Sequence, residues 1–114
     1  MTLIFKILPD ALWRAADREG IFRGAPVDLA DGYIHFSTAA QVRETAARHF
    51  AGQSDLLLAA FDSDAFGAAL KWEPSRGGAL FPHLYGTLSP SQAIWVRPLP
   101  LGQDGTHQFP ELDA

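Results

Sequence analysis

The sequence predicts an α+β fold, in which two helices pack on a small, curved, split sheet of antiparallel or mixed strands. Two helical patterns come before most of the strand patterns, unlike the regular alternation of strands and helices in parallel α/β proteins. The chain has 114 residues, of which 47% are hydrophobic and 19% are charged, as expected for one globular domain. Residues 103–114 lack a regular apolar pattern, and we expect them to form a C-terminal tail.

The N-terminal residues predict a strand followed by a helix. The strand covers residues 3–8, LIFKIL, with Lys6 as its only charge. Asp10 is the predicted N-cap of the helix and Gly20 is its predicted C-terminal stop. Residues 21–28 are interrupted by a glycine and a proline, so we expect an irregular edge segment there.

The stretch DGYIHFSTAAQV, residues 31–42, predicts a turn, a strand and the start of a second helix. In a strand, successive side chains point to opposite faces. Ile34 and Phe36 therefore face the core, whereas His35 and Ser37 lie on the other face together with the preceding tyrosine.

The second helix is expected to begin at Thr38, which forms a capping box with Gln41, and to end near Gly52. Later strands are predicted for residues 55–62, ALFPHLYG and QAIWVRPLPL, with Pro82 at an edge or bulge. These patterns together predict the following core residues: Trp13, Ile34, Phe36, Val42, Phe50, Leu57, and Leu58 or Ala59.

Composition excludes several classes of protein. A formal net charge of −4 and a pI near 5.4 argue against a general nucleic-acid or anionic-membrane binder. The absence of cysteine excludes disulfides, thiolate nucleophiles and cysteine-ligated zinc. The four histidines lack the short paired spacing of a metal site, so we expect no bound metal. The N-terminal apolar run is too short for a signal peptide or a membrane span, and we expect a cytoplasmic protein.

A first candidate site lies at the end of the YIHFS strand. His35 and Ser37 share a face there, beside the N-terminus of the helix predicted to start at Thr38. A helix N-terminus attracts phosphate or carboxylate groups, and an imidazole can hydrogen-bond a ribose hydroxyl. The alternative is that Thr38 only caps its own helix and that His35 is an ordinary polar strand residue.

A second candidate site lies in the segment KWEPSRGGALFPHLYG, which reads as a hairpin. Strand alternation brings Glu73 close to His83 or Tyr85. A carboxylate beside a histidine is a workable acid/base pair, so Glu73 and His83 are the candidate catalytic residues. The alternative is structural, with an ion pair between Glu73 and Arg76 and simple packing of the aromatic rings.

Four segments of the chain resemble a known family. The segments IFKIL with LWRAA, DLADGYIHFSTAAQVRETAARHFAG, LKWEPSRGGALFPHLYG and AIWVRPLPL are similar to the uncharacterised bacterial family named domain of unknown function 952. This resemblance implies a fold similar to that of the ADP-ribosyltransferases, with an NAD-binding cleft in a split sheet. His35 and Ser37 resemble the histidine-glycine-serine element that holds NAD in poly-ADP-ribose polymerases, with Phe36 in place of the glycine.

The resemblance implies a small domain that binds a nucleotide-type ligand, with NAD as a candidate substrate and no cofactor otherwise implied. Any reaction would then be cleavage or transfer at the nicotinamide glycosidic bond, with Glu73 stabilising charge on the ribose. The expected ligand-binding residues are His35, Ser37, Thr38, Arg76 and Tyr85. Two rival hypotheses stay open: a non-catalytic module that binds a metabolite or a protein, and a small-molecule hydrolase that uses Glu73 and His83.

Overall fold

Seven strands in two antiparallel sheets form the frame of the protein, and a computed structural model describes residues 1–112 of it. In chain order the strands are β1 (Leu3–Pro9), β2 (Ile34–His35), β3 (Ser37–Thr38), β4 (Leu56–Asp62), β5 (Leu70–Pro74), β6 (Leu80–Leu84) and β7 (Trp95–Leu99). The first sheet has the order β3-β1-β4-β7, and the second has the order β2-β6-β5. The predicted α+β class is confirmed, and all the strand pairs described are antiparallel.

Three α-helices and three short 3₁₀ segments connect these strands within the described residues. The α-helices are α1 (Asp10–Glu19), α2 (Pro26–Asp31) and α3 (Val42–His49). The 3₁₀ segments are Ser63–Ala69, Arg76–Gly78 and Pro90–Gln92. None of the helices in residues 1–112 is long and apolar enough to cross a membrane.

Helix α2 was not predicted, because residues 21–28 were expected to be irregular. Pro26 suits the first helical position, where its missing N–H has no intrahelical partner to lose. The carboxylate of Asp28 then accepts a hydrogen bond from the backbone N–H of Ala25, at 2.8 Å, which closes the N-terminal end of the helix. Gly32 ends it with a left-handed φ of 86°, so the turn predicted at Asp31-Gly32 is the C-terminal end of a helix.

Two predicted helix starts are wrong by one and four residues. Pro9 occupies the N-cap position of α1, so Asp10 is the first helical residue. The side chain of Asp10 forms an ion pair with Arg14. Thr38 belongs to β3 and pairs with Ile4, so α3 begins only at Val42. The capping contact that favoured Thr38 exists in part, since its backbone N–H donates to the side-chain oxygen of Gln41 at 3.1 Å.

Pro82 lies in the central strand of the second sheet, not at the predicted edge or bulge. Its carbonyl oxygen accepts a hydrogen bond from the backbone N–H of Phe36, at 3.0 Å. In an antiparallel strand the nitrogen and the carbonyl oxygen of one residue point to the same side. The missing N–H of Pro82 therefore faces the end of the short strand β2 and leaves the ladder between β5 and β6 intact.

Two hydrophobic clusters share the predicted core residues. Ile34, Phe36 and Ala59 are buried in a first cluster, against which Trp13 and Leu57 pack. A second cluster buries Val42 and Leu58 and is completed by Phe50. Strand β4 supplies both clusters by alternation, as the continuous apolar run predicted.

The segment predicted as a tail folds back onto the protein in its described part. Leu112 is buried, and Phe109 packs against the same cluster as α3. A ring nitrogen of His107 lies 2.8 Å from the carbonyl oxygen of Gln53. Residues 113–114 of the predicted tail lie outside the described residues.

Candidate functional site

The candidate site lies where the chain passes from one sheet to the other. Ser37 pairs with β1 in the first sheet, whereas His35 pairs with His83 of β6 in the second. Strand β1 pairs with β4 along its whole length, but on its other side its pairing with β3 ends at Phe5. We call this region the sheet fork and define it by residues 5–7, 35–37 and 81–83.

A cavity of about 250 Å³ opens at the sheet fork. One part of its wall is aromatic and is formed by Phe5, Phe36, Phe50 and Phe81. The polar part includes Lys6, Asp31, His35, Ser37, Arg76 and His83. The structure thus gathers four of the seven predicted site residues around one cavity, although the sequence places them in two separate segments.

The buried carboxylate of Asp28 ties three elements together beside the cavity. Nζ of Lys6, on β1, donates to Oδ1 at 3.0 Å and lies 2.9 Å from Oδ2. His35, on β2, donates its backbone N–H to Oδ1 at 3.1 Å, and its ring nitrogen Nδ1 lies 2.6 Å from the same oxygen. With the bond from Ala25, both carboxylate oxygens are fully engaged, as burial of a charge requires.

Electrostatics within this network keep Asp28 ionised. Burial acts to raise the pKa of Asp28, but the hydrogen bond from His35 and the charge of Lys6 outweigh it and lower the pKa to about 2. Burial lowers the pKa of Lys6, and the adjacent carboxylate opposes that shift. The network is an ion pair whose members each depend on the other to stay charged.

The ring of His35 is held between two carboxylates. Nδ1 faces Asp28, and Nε2 lies 2.9 Å from Oδ2 of Asp31 at the end of α2. His35 does point away from the hydrophobic core, as predicted, and its ring also contacts the buried carboxylate of Asp28.

The predicted hairpin and the predicted contact between Glu73 and His83 are both present. Strands β5 and β6 pair with Lys71 opposite His83, and Oε1 of Glu73 lies 2.8 Å from Nδ1 of His83. The hydroxyl of Tyr85 donates to the same oxygen at 2.7 Å. These bonds, first from Tyr85 and then from His83, lower the pKa of Glu73. The bond to Glu73 raises the pKa of Tyr85 to about 12.

The predicted alternative partner of Glu73 is wrong, because Arg76 turns towards α3. Its Nε donates to Oε2 of Glu44 at 3.1 Å, and its Nη2 donates to the hydroxyl of Thr45 at 3.3 Å. The same hydroxyl lies 2.9 Å from Oγ of Ser37. A cation and two hydroxyls thus lie together in the cavity wall.

Tyr33 connects the two histidines of the site. Its ring stacks on His83, with centroids 4.1 Å apart and planes at 28°, and its centroid lies 4.6 Å from that of His35. The ring of Tyr85 lies 5.3 Å from it. Strand alternation had placed Tyr33 on the face of His35, but only the pairing of β2 with β6 brings it against the hairpin.

A comparison with models of protein families agrees with the family that the sequence resembles. A family model described as "Protein of unknown function (DUF952)" matches residues 7–96. The chain belongs to the DUF952 family.

Two solved structures of the protein CC0527 from Caulobacter crescentus are similar to this DUF952 chain. The crystal structure is 51% identical, covers 94% of each chain and has a TM-score of 0.91. The solution NMR structure is 52% identical, covers 95% of this chain and 93% of the other, and has a TM-score of 0.86. A comparison with curated proteins found no match.

Three of the predicted site residues of this DUF952 domain do not line the cavity. Glu73 and Tyr85 do not line the cavity. Glu73 bonds to His83, which does line it, and Tyr85 donates to Glu73. Thr38 lies in β3, outside the cavity wall. Within residues 1–112, no cluster of three or more histidine, aspartate or glutamate side chains is arranged to hold a metal ion.

Four functional candidates were missed by sequence reasoning: Lys6, Asp28, Asp31 and Tyr33. Lys6 did give a signal, because a single charge inside an apolar strand needs a partner when the strand is buried. The partner could not be named, since Asp28 lies 22 residues away on a helix that was not predicted.

Proposed function

We propose that this DUF952 domain binds a small anionic ligand of nucleotide type in the cavity at the sheet fork. The observation that supports the proposal is the division of the cavity wall into phenylalanine rings and a polar part that contains Arg76. A flat ring packs well against phenylalanine faces, and a guanidinium binds phosphate or carboxylate through parallel hydrogen bonds. A nucleotide carries both kinds of group in one molecule.

Arg76 is the anion-binding group in this proposal. Its guanidinium lies 4.9 Å above the ring of Phe81, which fixes its plane beside the cavity. Arginine has five N–H donors, and the bonds to Glu44 and Thr45 use two of them. The others remain for a ligand oxygen, with the Ser37 hydroxyl close by.

The size of the cavity limits how much of a ligand it encloses. Its volume of about 250 Å³ is below the range of roughly 300–1,000 Å³ that is typical for drug-sized ligands. A dinucleotide such as NAD would therefore place only one half inside. NAD is the named candidate because His35 and Ser37 resemble the NAD-holding element of the ADP-ribosyltransferases.

Acid–base catalysis on the bound ligand is a second candidate function, supported by the pair of Glu73 and His83. The carboxylate holds a hydrogen on Nδ1 of His83, which leaves Nε2 as the acceptor. Nε2 has no hydrogen-bond partner within residues 1–112, although the residue is only 3% exposed and lines the cavity. His83 would take a proton from a ligand hydroxyl or a water, and Glu73 would stabilise the imidazolium that forms.

In this second candidate Glu73 acts through His83 and does not touch the ligand. Its Oε1 already accepts two hydrogen bonds, and the residue does not line the cavity. The geometry therefore favours proton transfer at His83 over direct stabilisation of a charged ribose by Glu73.

The binding proposal is tested by thermal shift and calorimetric titration with NAD, adenosine 5′-monophosphate, adenosine and inorganic phosphate. A ligand at a hundred times its dissociation constant should add about 2.7 kcal/mol of stability. Arg76→Gln should weaken binding of the phosphate-bearing probes roughly tenfold or more, the cost of a lost charged hydrogen bond. Arg14→Gln on the exposed face of α1 removes the same charge and should change nothing. A wild-type protein that none of the four probes stabilises would end the proposal.

Catalysis is tested by chromatography of NAD and other nucleotides after incubation with the protein. Free nicotinamide or another product should appear with wild type and be lost in His83→Gln, which should still bind the ligand. Binding without any product in wild type would reject the catalytic candidate and favour the non-catalytic binding module.

A further inference from the structure

A carboxylate of the protein itself occupies the cavity side of His35. Oδ2 of Asp31 lies 2.9 Å from Nε2 of His35, and both residues line the cavity. The other ring nitrogen, Nδ1, is bound to Asp28. Asp31 therefore stands beside the ring nitrogen of His35 that Asp28 leaves free.

The two carboxylates that hold His35 differ in how firmly they are fixed. The side chain of Asp28 is 1% exposed and is also bound to Lys6 and to the backbone of Ala25. The side chain of Asp31 is 45% exposed, and within residues 1–112 His35 is its one hydrogen-bond or ion-pair partner. An exposed ion pair contributes little to stability, so Asp31 can rotate into solvent at small cost.

We infer that Asp31 is an internal competitor, whose carboxylate stands where a phosphate or carboxylate oxygen of the ligand binds to Nε2 of His35. The inference rests on the proposed ligand-binding function of the cavity. It deepens that proposal by stating which group of the ligand meets His35.

The chemistry of the exchange selects an anionic group. A hydrogen bond to a charged acceptor is roughly twice as strong as one between neutral groups. A neutral ribose hydroxyl that replaced the Asp31 carboxylate would therefore exchange a strong bond for a weaker one, whereas a phosphate would replace it without loss. Lys6 also lines the cavity, and its positive charge favours an anionic ligand.

The experiment compares Asp31→Ala and Asp31→Asn with wild type by calorimetric titration. The probes are inorganic phosphate, adenosine 5′-monophosphate, succinate as a carboxylate, and adenosine as a neutral ligand. Removing the competitor should tighten binding of the anionic probes roughly tenfold in Asp31→Ala. Asp31→Asn should have a smaller effect, because its neutral carbonyl still competes for Nε2. Comparing the affinities for phosphate and for succinate shows whether a phosphate or a carboxylate group binds better in place of Asp31.

Asp17→Asn is the matched control, since Asp17 is exposed on α1 and the change removes the same charge. It should leave all affinities unchanged, so a general electrostatic effect would be recognised. A second measurement needs no ligand: the ¹H–¹⁵N spectrum of the His35 ring should show the Nε2 signal change in both Asp31 variants and not in the control.

The outcomes separate the inference from the proposed function. If wild type binds the anionic probes and the Asp31 variants bind them equally or more weakly, the competitor role is wrong while the binding function stands. An unchanged Nε2 signal in the variants would also overturn it. If neither wild type nor variants bind any probe, both proposals fail together.

Discussion

The site contains two carboxylate–histidine pairs that are built in opposite ways. In the first, the carboxylate of Asp28 is 1% exposed and the ring of His35 is 31% exposed. In the second, the carboxylate of Glu73 is 35% exposed and the ring of His83 is 4% exposed. The pairs share the same contact, Nδ1 to a carboxylate oxygen, at 2.6 and 2.8 Å.

The difference shows how the role of each pair depends on whether the carboxylate or the histidine ring is buried. A buried carboxylate must be satisfied by donors from several elements, so Asp28 fixes α2, β1 and β2 to one another. An exposed carboxylate is satisfied in part by water and can orient a buried ring without carrying the fold. We therefore expect the Asp28 pair to govern stability and the Glu73 pair to govern the chemistry of the cavity.

The largest effect is expected from Asp28→Asn. The change leaves the ammonium of Lys6 buried without a counter-charge, which costs about 3–5 kcal/mol when one partner of a buried ion pair is removed. Urea unfolding followed by circular dichroism measures the loss. The double variant Lys6→Met with Asp28→Asn should recover part of it, because no unpaired charge then remains. A single variant as stable as wild type would show that the network does not hold the fold.

The second effect is a loss of stability in acid that belongs to Asp28. Its pKa of about 2 lies below the ordinary value near 4, so its stabilisation is complete above pH 4. As the pH falls from about 4 to about 2 that contribution is lost, in total roughly 2.5 kcal/mol. Urea midpoints measured across this range should fall in wild type and in Glu73→Gln, but much less in Asp28→Asn. Equal slopes in all three proteins would contradict the assignment.

The third effect comes from His35→Ala. Reading His35 from strand alternation alone predicts little change in stability, but the structure shows its ring donating to a buried carboxylate. Loss of that bond should cost about 1–3 kcal/mol of stability as well as ligand affinity. Thermal unfolding of the single variant and of its combination with Asp28→Asn tests this. Because the two residues share one network, their costs should not add.

Local patterns of the sequence predicted much of this arrangement. Alternation within YIHFS put Ile34 and Phe36 in the core and turned His35 to the other face. The contact between Glu73 and His83 was predicted because it lies within one hairpin, where strand register and turn chemistry fix the neighbours.

Long-range contacts explain what the sequence did not predict. Asp28 binds Lys6, which is 22 positions away along the chain, and His35, which is 7 positions away. It does so from a six-residue helix that the sequence did not predict, because a proline usually interrupts regular structure. The sheet fork arises because Ser37 pairs with a strand of the first sheet and His35 with a strand of the second. Nothing in the local sequence indicates this change of sheet. The alternative that paired Arg76 with Glu73 fails because Arg76 binds Glu44 of α3, since nearness along the chain does not decide the partner of a long side chain.

The smallest effect on stability is expected from Glu73→Gln, which should instead change a titration. The hydrogen bond to the Glu73 carboxylate raises the pKa of Tyr85 to about 12, and a neutral amide should return it towards the ordinary value near 10. Absorbance of tyrosinate against pH measures this, since the protein has only two tyrosines. Tyr85→Phe isolates the curve of Tyr33, whose pKa is also raised, by burial first and then by nearby carboxylates.

The urea midpoint of Glu73→Gln should stay close to that of wild type, because the carboxylate it replaces is partly in water. A titration curve that moves while the urea midpoint does not would show that an exposed carboxylate orients this site without holding the fold. A large fall in the midpoint would mean that both pairs are structural, and the contrast between them would be lost.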